Sequence, residues 1–414
     1  MKKHLLWIIT TALMICVLTG CNFSKENGDL QTEEEIEEDI ENTQNHGESE
    51  KKNENTKDEP AEQPIVTKPV AETPEPQSEK AEELFKYNVI SDDYEEVFVN
   101  NSYASSQLDI EKEDDKYSTI NLFDHDVSTA FVEGAEGNGI GEMIRIHLGE
   151  DGSTTTVTKI TVRPGYQKSK ETFENNSRPT KLEFHFSDGS VVETEFGDDY
   201  DENAEFTFNF DPILATDCVM VISDACTGKK YEDCCISEVA FYSQQTDGMM
   251  YYERDLIGQE NTDAHFSIEA YANGEMCWSY DAHNPLTELT SGGSYITARD
   301  GMVYIHDNGK IVALDGATGE KIWENDMFSG YAGTWAFDKD GNLYLSGYYG
   351  PDLTVIDKEG NVLRYEETLT DNTYYWPCML IVNDNNSTFS IYYDAFDDGS
   401  NYFGKIITEN TALQ

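Results

Sequence analysis

The chain has 414 residues and a formal net charge of −53 at pH 7, from 81 acidic and 28 basic side chains. This charge argues against nucleic acid and acidic membrane surfaces as partners, because phosphate binding needs clustered lysine and arginine. Cations and neutral sugars fit such a surface better. The length allows more than one domain.

The N-terminus has the features of an export signal. Two lysines precede an apolar run from Leu5 to Leu18, which predicts a signal peptide over residues 1–21. The run ends in LTGC and resembles the lipobox of bacterial lipoproteins, which implies that Cys21 is lipidated. We therefore expect a lipid-anchored protein on the extracellular face of the bacterial cell membrane. An ordinary secretory peptide or a single membrane anchor is the alternative.

Residues 22–81 form an acidic stretch with 18 Asp and Glu against 6 Lys and Arg. It is rich in Pro, Thr, Gln and Asn and has almost no large apolar residues, so it is expected to stay disordered. The segment KPVAETPEPQSEK predicts an extended spacer between the anchor and the folded part. A partner-binding acidic tail is the alternative.

The cysteines are concentrated in one part of the chain. Five of the eight lie between residues 218 and 277, and none forms a C-x-x-C pair. This lowers the expectation of a zinc site or of thioredoxin-like chemistry. Buried thiols or one disulfide, with Cys226 and Cys234 as the candidate pair, are the two alternatives.

Residues 82–245 are predicted to fold entirely as strands. Segments such as MIRIHLG, VTKITVRPG and KLEFHFSDGSVVETEF alternate or run apolar, and Ser187-Asp188-Gly189 supplies a turn. Many short strands without a helical period predict an all-β, antiparallel jelly-roll sandwich.

The segment NLFDHDVSTAF, followed downstream by CISEVAFY, resembles the discoidin, or coagulation-factor type C, family of galactose-binding-like jelly rolls. In that family an Asp-x-Asp/Asn-x-x-Thr-x-aromatic loop and a later glutamate hold a structural calcium, since calcium prefers several oxygen ligands. His125 stands where the family usually has glycine, and Phe131 where it often has tryptophan. An Asx-turn built by the same aspartates is the alternative. The matching positions are Asp124, Asp126, Thr129 and Glu238.

Three further motifs narrow the resemblance: TAFVEGAEGNGIGE, RPGYQKSKETFENNSRPTKLEF and GKKYEDCCISEV. They resemble the glycan-binding discoidin-type domain found beside bacterial NAD-glycohydrolases, over about residues 95–243. The resemblance implies carbohydrate binding but no NAD-cleaving activity, because the catalytic domain is missing. For each candidate the alternative is a role in loop architecture. The expected ligand-contacting residues are Glu133, Glu136, Asn138, Tyr166, Asn176 and Arg178.

Residues 246–414 contain a repeat. Four similar motifs begin at glycines 274, 319, 360 and 404, each after a strand and a turn. Periods near 40 residues predict four-stranded propeller blades, here three or four of them. The segment GKIVALDGATGEKIWE resembles a PQQ-type repeat, but so few blades supply no complete quinone site, and no bound PQQ is expected. Whether the ring closes alone or by pairing with a second copy stays open.

No catalytic signature stands out in the C-terminal region. DKDGN resembles the start of an EF-hand, but Tyr349 takes the position of the bidentate glutamate, so a hairpin turn is expected. No His-Glu-x-x-His, Gly-x-Ser-x-Gly or Walker motif is present. The tryptophans at blade positions are explained by packing between blades.

Two functions follow. The first is a non-enzymatic surface lipoprotein whose calcium-stabilised sandwich binds glycans and whose blades are a scaffold or a protein-binding platform. The second is a hydrolase or quinone-dependent enzyme that uses the blades and is targeted by the sandwich. A deep polar cleft at the propeller axis would favour the enzyme, whereas a filled or open face would favour the binding protein. A purely structural sandwich is the third possibility, and it predicts that the loops 133–142 and 163–178 never converge.

Overall fold

The computed structural model describes residues 85, 87–110, 115–150, 152–197, 200–201, 205–255, 265–283, 296–307, 309–327, 331–348, 351–369, 375–396 and 402–411. The predicted signal peptide, the lipidation site Cys21 and the linker before residue 82 lie outside these ranges. Within them, no helix is long and apolar enough to span a lipid bilayer.

The first part of the chain forms two antiparallel sheets, and this confirms the predicted sandwich. One sheet has the order β1-β10-β5-β8, with β3 paired to β10, and the other has the order β2-β4-β9-β6-β7. The strands are β1 (Val89–Glu96), β2 (Val99–Ala104), β3 (Phe131–Val132), β4 (Met143–Leu148), β5 (Thr155–Pro164), β6 (Arg178–Phe186), β7 (Val191–Glu195), β8 (Phe206–Ala215), β9 (Asp217–Cys226) and β10 (Cys235–Thr246). One short helix, α1 (Lys170–Asn175), precedes β6, and two 3-10 turns span Asp115–Tyr117 and Thr119–Leu122.

The sandwich core lies between the facing sides of the two sheets. Phe184 of β6 and Phe241 of β10 meet edge to face across it, with ring centroids 6.0 Å apart, and both are fully buried. Strand β4 is buried along its whole length. Ile144 and Ile146 point into this core, whereas Met143 faces the C-terminal region. A strand buried on both faces indicates that the sandwich is covered on one side.

The C-terminal region forms four small antiparallel sheets, which agrees with the expected three or four blades. The first and the last have three strands each in the described part of the chain, and the middle two have four each. The strands are β11 (Met250–Asp255), β12 (His265–Ala272), β13 (Glu275–His283), β14 (Ile296–Arg299), β15 (Met302–Asp307), β16 (Lys310–Asp315), β17 (Lys321–Asn325), β18 (Tyr331–Phe337), β19 (Leu343–Tyr348), β20 (Leu353–Ile356), β21 (Val362–Glu366), β22 (Tyr375–Asn383), β23 (Thr388–Phe396) and β24 (Tyr402–Asn410).

The repeated glycines have two different structural roles. Gly274, Gly319 and Gly360 each lie just before the last strand of a blade, and all three have positive φ angles. Gly404 lies inside β24 instead, where a Cβ atom would collide with the ring of Tyr392. The fourth repeat is therefore shifted relative to the others, and its glycine is required by close packing rather than by a turn.

Aspartate turns connect the strands within blades. In the DKDGN segment, the carboxylate of Asp338 accepts hydrogen bonds from the backbone N–H groups of Asp340 and Asn342 at 3.0 and 2.9 Å. Asp357 makes the same contacts with Glu359 and Asn361. The DKDGN segment is thus a hairpin turn between β18 and β19, as expected from its sequence.

Each blade packs against the next through buried apolar side chains. Trp278 of the first blade belongs to the cluster shared with the second, and Trp335 of the third belongs to the cluster shared with the second. The indole N–H of Trp278 also donates to the carbonyl of Gly316 at 2.8 Å. These contacts confirm the packing role expected for these two tryptophans.

The sandwich packs directly on the blades. Met143 of β4 and Val219 of β9 form one cluster with Met379 and Tyr392 of the last blade. This contact covers the face of the last blade that has no following blade. The four blades therefore end against the sandwich.

The turn between β6 and β7 enters the space between blades. Thr297 of β14 donates through its hydroxyl to the carbonyl of Ser187 at 2.8 Å. At Gly189, which has a φ of +87°, a Cβ atom would lie 2.8 Å from Cβ of Phe337 in β18. A small cavity of about 10 Å³ lies among this turn, β18 and β22. The turn therefore packs against the first strands of the second and third blades.

Candidate functional site

Three connections at one end of the sandwich meet: residues 133–142, residues 165–177 and residues 227–234. The backbone N–H of Cys234 donates to the carboxylate of Glu133 at 2.8 Å. The backbone N–H of Tyr231 donates to the carbonyl of Asn175 at 2.8 Å. The third connection therefore joins the first two, which is the convergence that a purely structural sandwich was not expected to show.

Glu133 shapes this end of the sandwich from inside. Its side chain is fully buried, and its carboxylate accepts hydrogen bonds from the backbone N–H groups of Cys234 and Ala135, at 2.8 and 2.7 Å. A Cβ atom at Gly139 would lie 2.7 Å from Cγ of Glu133. Burial raises the pKa of Glu133 to about 7, against the opposing effect of these hydrogen bonds. Glu133 is thus placed to hold the loop, not to contact a ligand.

We expect Glu133→Ala to lower the free energy of unfolding by about 1–3 kcal/mol, because two buried N–H groups lose their acceptor. Glu133→Gln keeps one acceptor and should lose less. Since the folded pKa is raised, folding takes up a proton between the ordinary carboxyl range and about pH 7, so the contribution of Glu133 to stability falls as pH rises through that window. Urea unfolding at pH 5 and 8 measures the loss of unfolding free energy and its dependence on pH. If Glu133→Gln has the same pH dependence as the wild-type chain, Glu133 is not the group that takes up the proton.

Arg178 and Asn176 support helix α1. The Arg178 guanidinium lies over the ring of Phe173, 4.3 Å from its centroid, and the residue is only 9% exposed. The Asn176 side-chain amide donates to the carbonyl of Thr172 at 2.7 Å. Ser169 caps the helix at its other end. Both predicted contact residues are thus engaged in the architecture of their own loop.

The other three candidates are more accessible. Glu136 is exposed and Asn138 is half-buried, with its amide 3.3 Å from the carbonyl of Ala225. Tyr166 is half-buried, and its hydroxyl donates to the carbonyl of Ser128 at 3.1 Å. Tyr166 therefore connects this end to the adjacent aspartate loop.

Tyr231 is a candidate site residue that the sequence motifs did not single out. It is 43% exposed, and the ammonium group of Lys230 lies 4.6 Å from its ring centroid. Ile140 is also exposed, at 53%. A single aromatic residue within the polar segment GKKYED was the available signal. An exposed ring beside lysine and carboxylate groups provides a stacking surface with polar groups around it.

The aspartate loop is tightly wound. The Asp124 carboxylate accepts hydrogen bonds from the backbone N–H of Asp126 at 2.8 Å and from the Thr129 hydroxyl at 2.7 Å. His125 between them has a φ of 58°, in the left-handed region that favours glycine. This conformation gives the physical reason for the glycine usual at this position in the family that the segment resembles. The Asx-turn geometry is therefore present.

Glu238 of β10 faces this loop. Burial, and then the charge of Asp124, raise the pKa of Glu238 to about 8. Its Oε1 is buried without a hydrogen-bond partner. Two neighbouring carboxyl groups with an unpaired oxygen fit a hard cation. No group of three or more His, Cys, Asp and Glu side chains suited to a metal occurs in the described residues, so a cation here would also need the Thr129 hydroxyl or backbone oxygens.

The candidate cysteine pair is not joined by a disulfide. The Cys226 thiol lies 3.7 Å from the carbonyl of Arg178. Burial raises the pKa of the Cys234 thiol well above its ordinary value. The Cys226–Cys234 disulfide is therefore absent, and Cys234 is a buried thiol.

Comparison with known proteins matches one family model to the sandwich. Residues 93–242 match the family model described as the NAD glycohydrolase translocation F5/8 type C domain. No curated protein matches the chain. Similar solved structures include the family 32 module of NanJ from C. perfringens in complex with galactose, with 19% identity over 34% of this chain and 93% of that chain and a TM-score of 0.26. The module of AlyQ in complex with 4,5-unsaturated mannuronic acid has 17% identity over 36% and 97%, with a TM-score of 0.25.

The matched range nearly coincides with the segment that carries the motifs. The expected range was about residues 95–243, and the match spans 93–242. The loops that meet at one end of the sandwich and the facing pair Asp124 and Glu238 all lie within it. Residues 93–242 are therefore an F5/8 type C, or discoidin-like, domain of the NAD glycohydrolase translocation kind.

Proposed function

We propose that this protein binds carbohydrate through the loop end of its discoidin-like domain and does not act as an enzyme. The observation that carries the proposal is the convergence of three connections, joined by the Cys234–Glu133 and Tyr231–Asn175 hydrogen bonds, in a domain that matches the F5/8 type C model. Sugar sites typically combine an aromatic face with planar polar side chains. Here Tyr231, Glu136 and Asn138 supply these groups.

We further propose that calcium stabilises the aspartate loop beside this end. Asp124, Asp126, Thr129 and Glu238 would hold the ion, as the resemblance implied. The support is the unpaired buried Oε1 of Glu238 and its position against Asp124. A bound cation would offset the repulsion between the two carboxylates and fix the loop that Tyr166 contacts through Ser128.

The predicted cellular location would give the domain access to glycans. We propose a lipid anchor at Cys21 and the acidic linker as a spacer, which would place the domain on the extracellular face of the membrane, where glycans are available. The blades would act as a scaffold or as a platform for a protein partner. We propose no PQQ, because the turn between β6 and β7 occupies the space among the blades.

The enzyme alternative would need a reactive cleft in the blades. The described residues form a cavity of about 340 Å³ between the sandwich and the first two blades, lined by residues that include Asp188, Arg299 and Tyr87. The Asp188 carboxylate accepts hydrogen bonds from Ser190, and the Arg299 guanidinium donates to the carbonyl of Asp338 at 2.7 Å. Because these groups already serve the packing of the chain, we favour the binding protein.

A glycan array probed with the chain from Asn22 tests the proposal. Galactose and GalNAc-β-1,3-galactose, which are the ligands in two of the similar solved structures, are the first saccharides to include. We expect Tyr231→Ala to weaken binding about tenfold or more, because it removes the exposed stacking face. Tyr365→Ala is the matched control, since Tyr365 is similarly exposed at 38% but lies in β21.

Two outcomes would count against the proposal. If the folded chain binds no glycan, carbohydrate binding is rejected for all saccharides on the array. Equal loss of binding in Tyr231→Ala and Tyr365→Ala would show that binding does not use the loop end.

The experiment uses the chain from Asn22 and not the isolated segment 82–245, because the structure buries Met143 and Val219 of the sandwich against the last blade.

A further inference from the structure

A second cleft lies at the other end of β10, where the sandwich meets the first blade. It has a volume of about 540 Å³. Gln245 lies seven positions after Glu238 in β10, which corresponds to roughly 23 Å of strand. This cleft is therefore distinct from the loop end. Its lining includes Gln245, Met250, Tyr252, Arg254, Tyr271 and Asn273.

Two tyrosine rings form the aromatic part of the cleft. Tyr252 of β11 and Tyr271 of β12 meet edge to face, with centroids 5.5 Å apart and an interplanar angle of 84°. Neighbouring residues in a strand point to opposite faces, so Tyr251 is buried against the second blade while Tyr252 faces the cleft. Arg254, on the same face as Tyr252, lies 5.1 Å from the Tyr252 ring.

Polar groups surround the rings. Glu269 accepts a hydrogen bond from the Tyr271 hydroxyl at 2.8 Å and lies 3.7 Å from Nε of Arg254. Gln245 and Asn273 are exposed, and their amides make no side-chain hydrogen bond within the described part of the chain. Amides that are not committed elsewhere can pair with the hydroxyl groups of a ligand.

We propose that this cleft is a second carbohydrate site, for a neutral saccharide of about two rings. Its volume is within the range of ligand sites, roughly 300–1,000 Å³. The tyrosine faces suit the C–H face of a sugar, and Gln245, Asn273 and the Arg254–Glu269 pair suit its hydroxyl groups. A neutral ligand fits better than an acidic one, because the chain carries a net charge of −53 and Arg254 is already beside Glu269. This site goes beyond the loop end and would make the protein bivalent.

Paired variants of the chain from Asn22 test the second site on an array of neutral oligosaccharides. We expect at least one saccharide whose binding falls about tenfold in Tyr252→Ala and Tyr271→Ala and is unchanged in Tyr231→Ala. Tyr252→Phe and Tyr271→Phe should retain most of the binding, since the ring faces remain. Gln245→Ala is added because an exposed residue can be changed without unfolding the chain, and it should weaken the same saccharide.

Three results would reject the cleft as a carbohydrate site, and two of them would still support binding at the loop end. If every bound saccharide is lost in Tyr231→Ala and kept in Tyr252→Ala and Gln245→Ala, only the loop end binds sugar. If the array shows no binding at all by a folded chain, both sites are rejected. Titration calorimetry with the best saccharide then checks the number of sites, and one site per chain with full sensitivity to Tyr231→Ala also overturns the cleft.

Discussion

Replacing Arg145 by alanine is expected to destabilise the whole chain by about 3–5 kcal/mol, the usual cost of removing one partner of a buried ion pair. Nε of Arg145 lies 3.1 Å from the Asp217 carboxylate, and the two side chains are only 4% and 8% exposed. Nη1 also donates to the carbonyl of Cys378 in the last blade at 2.9 Å. The substitution would leave a buried aspartate charge without its counterion.

The matched control is Arg163→Ala in the neighbouring sheet. Nη2 of Arg163 lies at the same distance, 3.1 Å, from the Glu205 carboxylate, but those side chains are 24% and 40% exposed. Exposed pairs contribute about 0–1 kcal/mol, so urea unfolding should separate the two variants clearly. A loss below about 1 kcal/mol in Arg145→Ala would contradict the burial of this pair between sandwich and blade.

The second large effect concerns calcium. At a calcium concentration 100 times the Kd, the wild-type chain is expected to gain about 2.7 kcal/mol of unfolding free energy, and Glu238→Gln should lose most of this gain. In chelator above about pH 8, where the Glu238 carboxyl group ionises, the same substitution should stabilise the chain, because it removes a negative charge beside Asp124. A single change with opposite effects in calcium and in chelator is a specific signature of a cation site.

Glu96→Gln is the control for the calcium experiment. The Glu96 carboxylate lies 3.1 Å from Nε2 of His125 in the same loop, but it is exposed and is outside the proposed ligand set. Its calcium response should match that of the wild-type chain. Thermal unfolding is measured with calcium and with chelator. If calcium raises the unfolding temperature equally in the wild-type chain and in Glu238→Gln, Glu238 is not a calcium ligand.

The sandwich was predictable because its strands carry their own signals. MIRIHLG became β4 and VTKITVRPG became most of β5, since apolar alternation and turn residues are local properties of the sequence. The blades were predictable from the period of the repeat. Gly404 shows, however, that a glycine repeated in the sequence can lie inside a strand instead of in a turn. The all-β fold class is therefore confirmed for the described residues.

The candidate site was harder to predict, because the direction of a loop side chain depends on tertiary packing. A glutamate in a glycine-rich loop suggested a ligand contact, yet Glu133 turns inward to bond Cys234, about a hundred residues later in the chain. Arg178 likewise covers Phe173. Tyr231 shows the reverse case, because its exposure depends on how residues 227–234 rest on α1. The single aromatic residue in GKKYED draws attention to Tyr231, but the exposure of its ring follows only from this packing.

The packing of the sandwich on the last blade also constrains the order in which the chain acquires its structure. Tyr103 donates to Asp394, 291 residues later, and Arg145 bonds the carbonyl of Cys378, 233 residues later. Contacts of such separation close large loops and form late. During synthesis the sandwich is complete before β22 to β24 exist, so Met143 and Val219 stay uncovered until the final strands arrive. A nascent or truncated chain without those strands would present this apolar surface to chaperones and proteases.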